Sequence, residues 1–194
     1  MDETAPYFVD VSVPEAVLLP KEPKAVPLVH PNALGAVWYK AVGGSVICDN
    51  NGCVQKWSPM DGLGEAAFPA KPNDCNSKLF GDGGLLFERE INAGLVVANA
   101  LIEPTQFSCA IRYSSEYGDA RTLLTINPND QETYLFLSEK DGHISWQDQN
   151  DLSGVSVPAP KDGGWILVGF DAGKLSLTVA AEGQKFDRPQ VSDT

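Results

Sequence analysis

The chain has little histidine, little methionine and little positive charge. Two His among 194 residues mean that any imidazole chemistry must draw on His30 or His143. Fourteen Lys and Arg stand against 26 Asp and Glu, for a net charge of −12. That balance argues against nucleic acid as a partner, because phosphate binding needs clustered Lys and Arg. It argues equally against docking on anionic lipid. No apolar run reaches the length that spans a bilayer as a helix. Neither G-x-x-x-x-G-K-[ST] nor G-x-G-x-x-G occurs, and Gly81-Asp82-Gly83-Gly84 has no Lys at phosphate-loop spacing. The first residues, Met1-Asp2-Glu3-Thr4-Ala5-Pro6, lack the basic and apolar regions of a secretion signal. The expectation is a chain made in the cytoplasm that leaves it, if at all, without such a signal. Riding on an assembled particle is one such route.

Glycine and proline are plentiful, at 18 and 14 residues, and favour turns over long helices. Residues 1–32 read as an extended arm. Pro6, Pro14, Pro20, Pro23, Pro27 and Pro31 punctuate it, each fixing its own φ and pushing its predecessor toward extended backbone. Between them lie Tyr7, Phe8, Val11, Leu18 and Leu19, too apolar for a solvated linker. The arm is expected to dock on another subunit through these residues. The alternative is an arm packed along its own domain.

From Leu34 the pattern is strands. Ser45 to Cys48 and Cys53 to Trp57 flank Asp49-Asn50-Asn51-Gly52, a hairpin connection. Phe107, Cys109, Ile111 and Tyr113 alternate with polar or small residues. Thr122 to Ile126 and Tyr134 to Ser138 are further runs, and Glu139-Lys140-Asp141-Gly142 turns into His143 to Trp146. Trp165 to Phe170 is continuously apolar, and Asp171-Ala172-Gly173 turns into Leu175, Leu177 and Val179. No window sustains a 3.6-residue period. The fold class is therefore all-β, an antiparallel two-sheet sandwich over residues 33–186, followed by a flexible tail at 187–194.

The order of these signals resembles the concanavalin A-like jelly roll, in particular its laminin G-like branch. Val54-Gln55-Lys56-Trp57-Ser58-Pro59-Met60-Asp61-Gly62 is similar to that family's opening segment. Phe80-Gly81-Asp82-Gly83-Gly84-Leu85-Leu86-Phe87 is similar to its F-D-G-x-x-L segment. Gly164-Trp165-Ile166-Leu167-Val168 and Gly173-Lys174-Leu175-Ser176-Leu177-Thr178-Val179 resemble its closing strands. The resemblance covers roughly residues 33 to 183. It implies a jelly roll, and it places Trp57 and Trp165 in the core. Trp38, which begins a strand run, is read as core with them. The fold hosts lectins, adhesion modules, glycanases and spacers, so function must come from the site.

Glycanases of the family use paired carboxylates on one strand, and retaining hydrolysis needs them about 5 Å apart. Glu88-Arg89-Glu90 offers two at i and i+2, without the third acid, and reads as a solvated strand end. Ser145 is near His143 but lacks a nucleophile-elbow context. No catalytic set is assigned. Cys48 and Cys53 flank the hairpin loop and could bond across it; Cys75 reads as a spare thiol and Cys109 as core. The resemblance also raises a Ca²⁺ held by Asp119, Asn127, Asn129 and Asp130 in the loops, against the reading of solvated acids. No other cofactor is expected.

Glycan binding, the family's commonest activity, needs an aromatic platform with planar hydrogen-bonding groups. His143, Trp146 and Gln147, with Asp148, Gln149 and Asn150, form the first cluster. Tyr113 and Tyr117, with Glu116 and Asp119, form the second. Trp146 stands between core and platform. Three functions are weighed. The first is a non-catalytic structural or adhesion protein of a phage-like particle, anchored by its arm to other particle subunits, oligomeric and displaying a glycan-binding jelly roll. The second is a free lectin module, and the third a glycoside hydrolase.

Overall fold

The computed structural model describes residues 36–60, 62, 64–71, 75, 77–80, 83–87, 94–98, 106–114, 121–126, 134–149 and 154–192. Among them the chain is all-β, without helix. It divides into two compact units, Met1–Ala100 and Leu101–Thr194. The segments that carry the family resemblance divide between them.

The first unit holds β1 (Val46–Cys48), β2 (Val54–Trp57), β3 (Ala67–Pro69), β4 (Lys78–Phe80), β5 (Gly84–Leu86) and β6 (Leu95–Val97). Strands β1-β2-β3-β6 form one antiparallel sheet and β4-β5 a separate hairpin. The β1–β2 hairpin forms where the sequence places it. The Asp49 side chain accepts from the Asn51 and Cys53 N–H groups at 2.8 and 2.9 Å, an Asx-type closure of the loop. Cys53 is bonded to Cys75, not to Cys48, which is a free thiol. The bond that Cys48 and Cys53 could have made is not formed, and the reading of Cys75 as a spare thiol is corrected. The cause is chain path: Cys53 bridges to Lys78 and the Val54 N–H donates to the Ser77 carbonyl, which brings Cys75 beside Cys53. Trp38 lies outside any strand and is half-buried.

The second unit is a β-sandwich. It holds β7 (Gln106–Tyr113), β8 (Arg121–Ile126), β9 (Leu135–Lys140), β10 (His143–Asp148), β11 (Gly154–Pro158), β12 (Gly164–Asp171), β13 (Lys174–Ala181) and β14 (Gln190–Val191). One sheet has the order β11-β10-β9-β8 and the other β14-β13-β12-β7. Both short hairpins use left-handed turn residues: Asp141 and Gly142 at φ 50° and 74°, Ala172 and Gly173 at φ 48° and 87°. Two successive positive φ values match the right-handed twist of the flanking strands.

The core lies between the two sheets. Leu137, Ile144, Trp146 and Val155 come from one; Ile166, Val168, Leu175 and Leu177 come from the other. Phe107, Cys109, Ile111 and Tyr113 point inward from β7 and pack against that cluster. Burial raises the Cys109 thiol pKa, as expected of a core cysteine. The expected C-terminal tail is partly built into the fold. Gln190 and Val191 pair with Leu177 and Ser176, and buried Ser192 accepts from the Leu175 N–H at 3.0 Å. The segment stays because it completes the edge of β13.

Candidate functional site

Alternation along β10 sorts its residues. Ile144 and Trp146 point into the core, while His143, Ser145 and Gln147 face outward. Trp146 is 0% exposed. Its indole N–H donates to the Gly169 carbonyl at 3.1 Å, and its ring meets Phe107 edge-on at 6.2 Å. A buried indole offers no face to a sugar, so Trp146 is withdrawn from the platform. Tyr113 is withdrawn too. It points inward from β7, opposite Gly164, and its hydroxyl is buried without a hydrogen-bond partner among the described residues. Its phenol pKa is pushed up to about 12, first by burial and then by the charge of Glu139. Glu139 is a carboxylate only 4% exposed on the core side of β9.

His143 and Gln147 do share one surface, the outer face of β11-β10-β9-β8. It is polar. Ser145 donates to Ser156 at 3.0 Å, and Lys140 stands opposite His143. Half-buried Phe136 lies opposite Gln147. Among the described residues the face carries hydrogen-bonding groups and the exposed His143 imidazole, and its Phe and Tyr rings are half-buried.

An exposed indole lies on the other sheet. Ile166 and Val168 of β12 are buried, so parity turns Trp165 and Leu167 outward. Trp165 is 38% exposed, which corrects its expected place in the core. The continuous apolar run of β12 concealed which parity faced inward. Pairing sets two rows across this face: Arg112, Trp165, Ala180 and Ala110, Leu167, Thr178. Thr178 and Ala180 are buried. The Thr178 hydroxyl donates to the Asp187 carbonyl at 3.3 Å, so the returning C-terminal segment covers the β13 side. The β12 side stays open.

A charged pair borders the open half. The Arg112 Nε–H donates to the Glu182 carboxylate at 3.1 Å, with both side chains more than 60% exposed. Arg112 is on β7 and Glu182 follows β13, so the pair spans β12 beside Trp165. An ion pair this exposed holds its members weakly. The guanidinium donors and carboxylate acceptors can exchange to a ligand. An indole face with a donor fork and an acceptor beside it is the combination that a sugar ring requires. Sequence reading missed Arg112, Trp165 and Glu182 because they come from three separate segments.

Several expected site residues lie outside the described residues. They are Tyr7, Phe8, Val11, Leu18 and Leu19 of the arm, Glu88, Arg89 and Glu90, Glu116, Tyr117 and Asp119, and Asn127, Asn129, Asp130 and Asn150. Among the described residues no group of three or more His, Cys, Asp or Glu is placed to hold a metal ion. No helix there is long and apolar enough to cross a membrane. No family model, curated protein or solved structure matches the chain.

Proposed function

We propose that the chain is a non-catalytic adhesion protein of a phage-like particle, whose sandwich presents a carbohydrate-binding face at Trp165. The half-exposed indole beside the Arg112–Glu182 pair carries this reading. The jelly-roll relationship is part of the proposal, supported by the β12–β13 hairpin that holds its closing motifs. The particle setting rests on the arm, whose prolines and apolar residues suit it to lie on another subunit. One such site binds weakly, and multivalent display on a particle multiplies its avidity.

The test is a glycan panel probed with the full chain multimerised on beads. Trp165→Ala should abolish binding and Arg112→Ala should weaken it. His143→Ala with Gln147→Ala should leave it intact. Loss only in the His143 and Gln147 double variant would move the site to the polar sheet. No binding to any glycan would refute the carbohydrate reading.

A further inference from the structure

Strand β13 has an opening in its outer edge. The two-residue turn of the β12–β13 hairpin pairs Asp171 with Lys174, and an antiparallel ladder bonds alternate residues to each neighbour. Ser176, Thr178 and Ala180 therefore bond to β12, while Leu175, Leu177, Val179 and Ala181 turn their backbone groups to the other side. Leu175 bonds there with Ser192, Leu177 pairs with Gln190, and the Ala181 carbonyl accepts from the Gln184 N–H at 3.0 Å. Val179 is left with a backbone donor and acceptor that have no partner among the described residues. Pairing with β14 stops at Gln190, and the chain before it is held at Asp187 by the Thr178 hydroxyl. A cleft of about 290 Å³ lies at this opening. Val157 and Pro158 of β11 and Leu177 and Val179 of β13 line it, together with Asp187 and Arg188. Both charged residues are exposed, and neither side chain has a partner among the described residues. Backbone polar groups away from bulk water normally find partners, and an unpaired strand edge is a template for another strand.

We propose that this cleft binds a short extended segment of a partner protein, added as a strand beside Val179. The central residue of that segment donates its N–H to the Val179 carbonyl and accepts from the Val179 N–H. Side chains of opposed residues point the same way. Val179 packs against the core, so an apolar side chain opposite it enters the cleft between Val157 and Leu177. The flanking side chains of the segment point to the opposite face. Asp187 and Arg188 at the rim complement one basic and one acidic flanking residue. A hydrocarbon chain would leave both Val179 groups unpaired, and a sugar would set its hydroxyls on an apolar floor; either leaves polar groups unsatisfied. The cleft is a different place from the Trp165 face, which looks outward from β12.

Two measurements on the full chain test this. In hydrogen exchange the Val179 amide should exchange about tenfold or more faster than the paired Leu177 amide. Equal protection would show Val179 already bonded and would overturn the proposal. Acetyl-Glu-Val-Lys-amide and the reversed acetyl-Lys-Val-Glu-amide are then titrated at millimolar levels into isotope-labelled chain and followed by nuclear magnetic resonance. One of them should shift the Val179 and Arg188 amide signals, and the order that binds gives the strand direction. An N-methylvaline at the centre removes the donor and should weaken binding about fivefold or more. Arg188→Glu, at an exposed position, should weaken it about threefold, and Val157→Phe should fill the cleft and abolish it. Binding by neither peptide overturns the proposal. So does an N-methylated peptide that binds as well as its parent, which would mean side-chain contact without strand pairing. Trp165→Ala should leave all of these readings unchanged, so this site and the carbohydrate face can fail separately.

Discussion

Replacing Trp146 with alanine should cost the sandwich stability rather than remove a surface contact. The side chain is fully buried among Leu137, Val155 and the β12–β13 core residues. Truncating a buried Trp to Ala costs about 3–5 kcal/mol. That range includes the loss of the hydrogen bond to Gly169, about 1 kcal/mol, and of the edge contact with Phe107. Against a typical total of about 5–15 kcal/mol, this is a large share. With a urea slope of about 1.5 kcal/mol/M, the midpoint should fall by about 2–3 M. Trp146→Phe keeps a ring against Phe107 and loses the N–H donor, so about 1–2 kcal/mol is expected. The assay is urea denaturation followed by far-UV circular dichroism. A Trp146→Ala variant with an unchanged midpoint would refute the core assignment. Loss of glycan binding at full stability would return Trp146 to the surface.

Three further outcomes follow from the same geometry. Cys53→Ser with Cys75→Ser opens a loop with a sequence separation of 22, which should cost about 3 kcal/mol by chain entropy; hydrogen exchange at the β2 amides should speed accordingly. The Tyr113 phenol, raised to about 12 in the fold, must stay neutral while buried, whereas an unfolded phenol ionises near pH 10. Its contribution is therefore complete below about pH 10 and is lost as pH rises toward 12, and Tyr113→Phe should remove that part of the alkaline destabilisation in denaturation curves. Gly163 has φ 91°, and a Cβ there would lie 2.4 Å from the Tyr113 carbonyl oxygen, so Gly163→Ala should lower the thermal midpoint by an amount equivalent to about 2 kcal/mol; an unchanged midpoint would show that β7 and β12 can separate freely.

The hairpins and the class were legible because local chemistry determines them. Asp141-Gly142 and Ala172-Gly173 supply left-handed turns, and Phe107 to Tyr113 alternates cleanly. What stayed hidden depended on partners distant in sequence. Trp165 lies in a run without alternation, so only pairing with Arg112 and Ala180 shows which way it points. Trp146 was ambiguous for the same reason, since polar Gln147 and Asp148 beside it gave β10 a surface-like end. The Cys53–Cys75 bond depends on the approach of Ser77 and Lys78 to the start of β2, which neither cysteine's local sequence encodes. Among the described residues of the two clusters expected to bind sugar, His143 and Gln147 share a surface, while Trp146 and Tyr113 turn into the core.

The most direct measurement is the response of the indole N–H resonances to a glycan selected from the bead panel. The chain has four Trp, so four signals can be assigned by single substitutions. The account predicts that titration shifts the Trp165 signal and leaves the buried Trp146 signal in place. A shift confined to another indole, or no indole shift while binding is saturated, would contradict it.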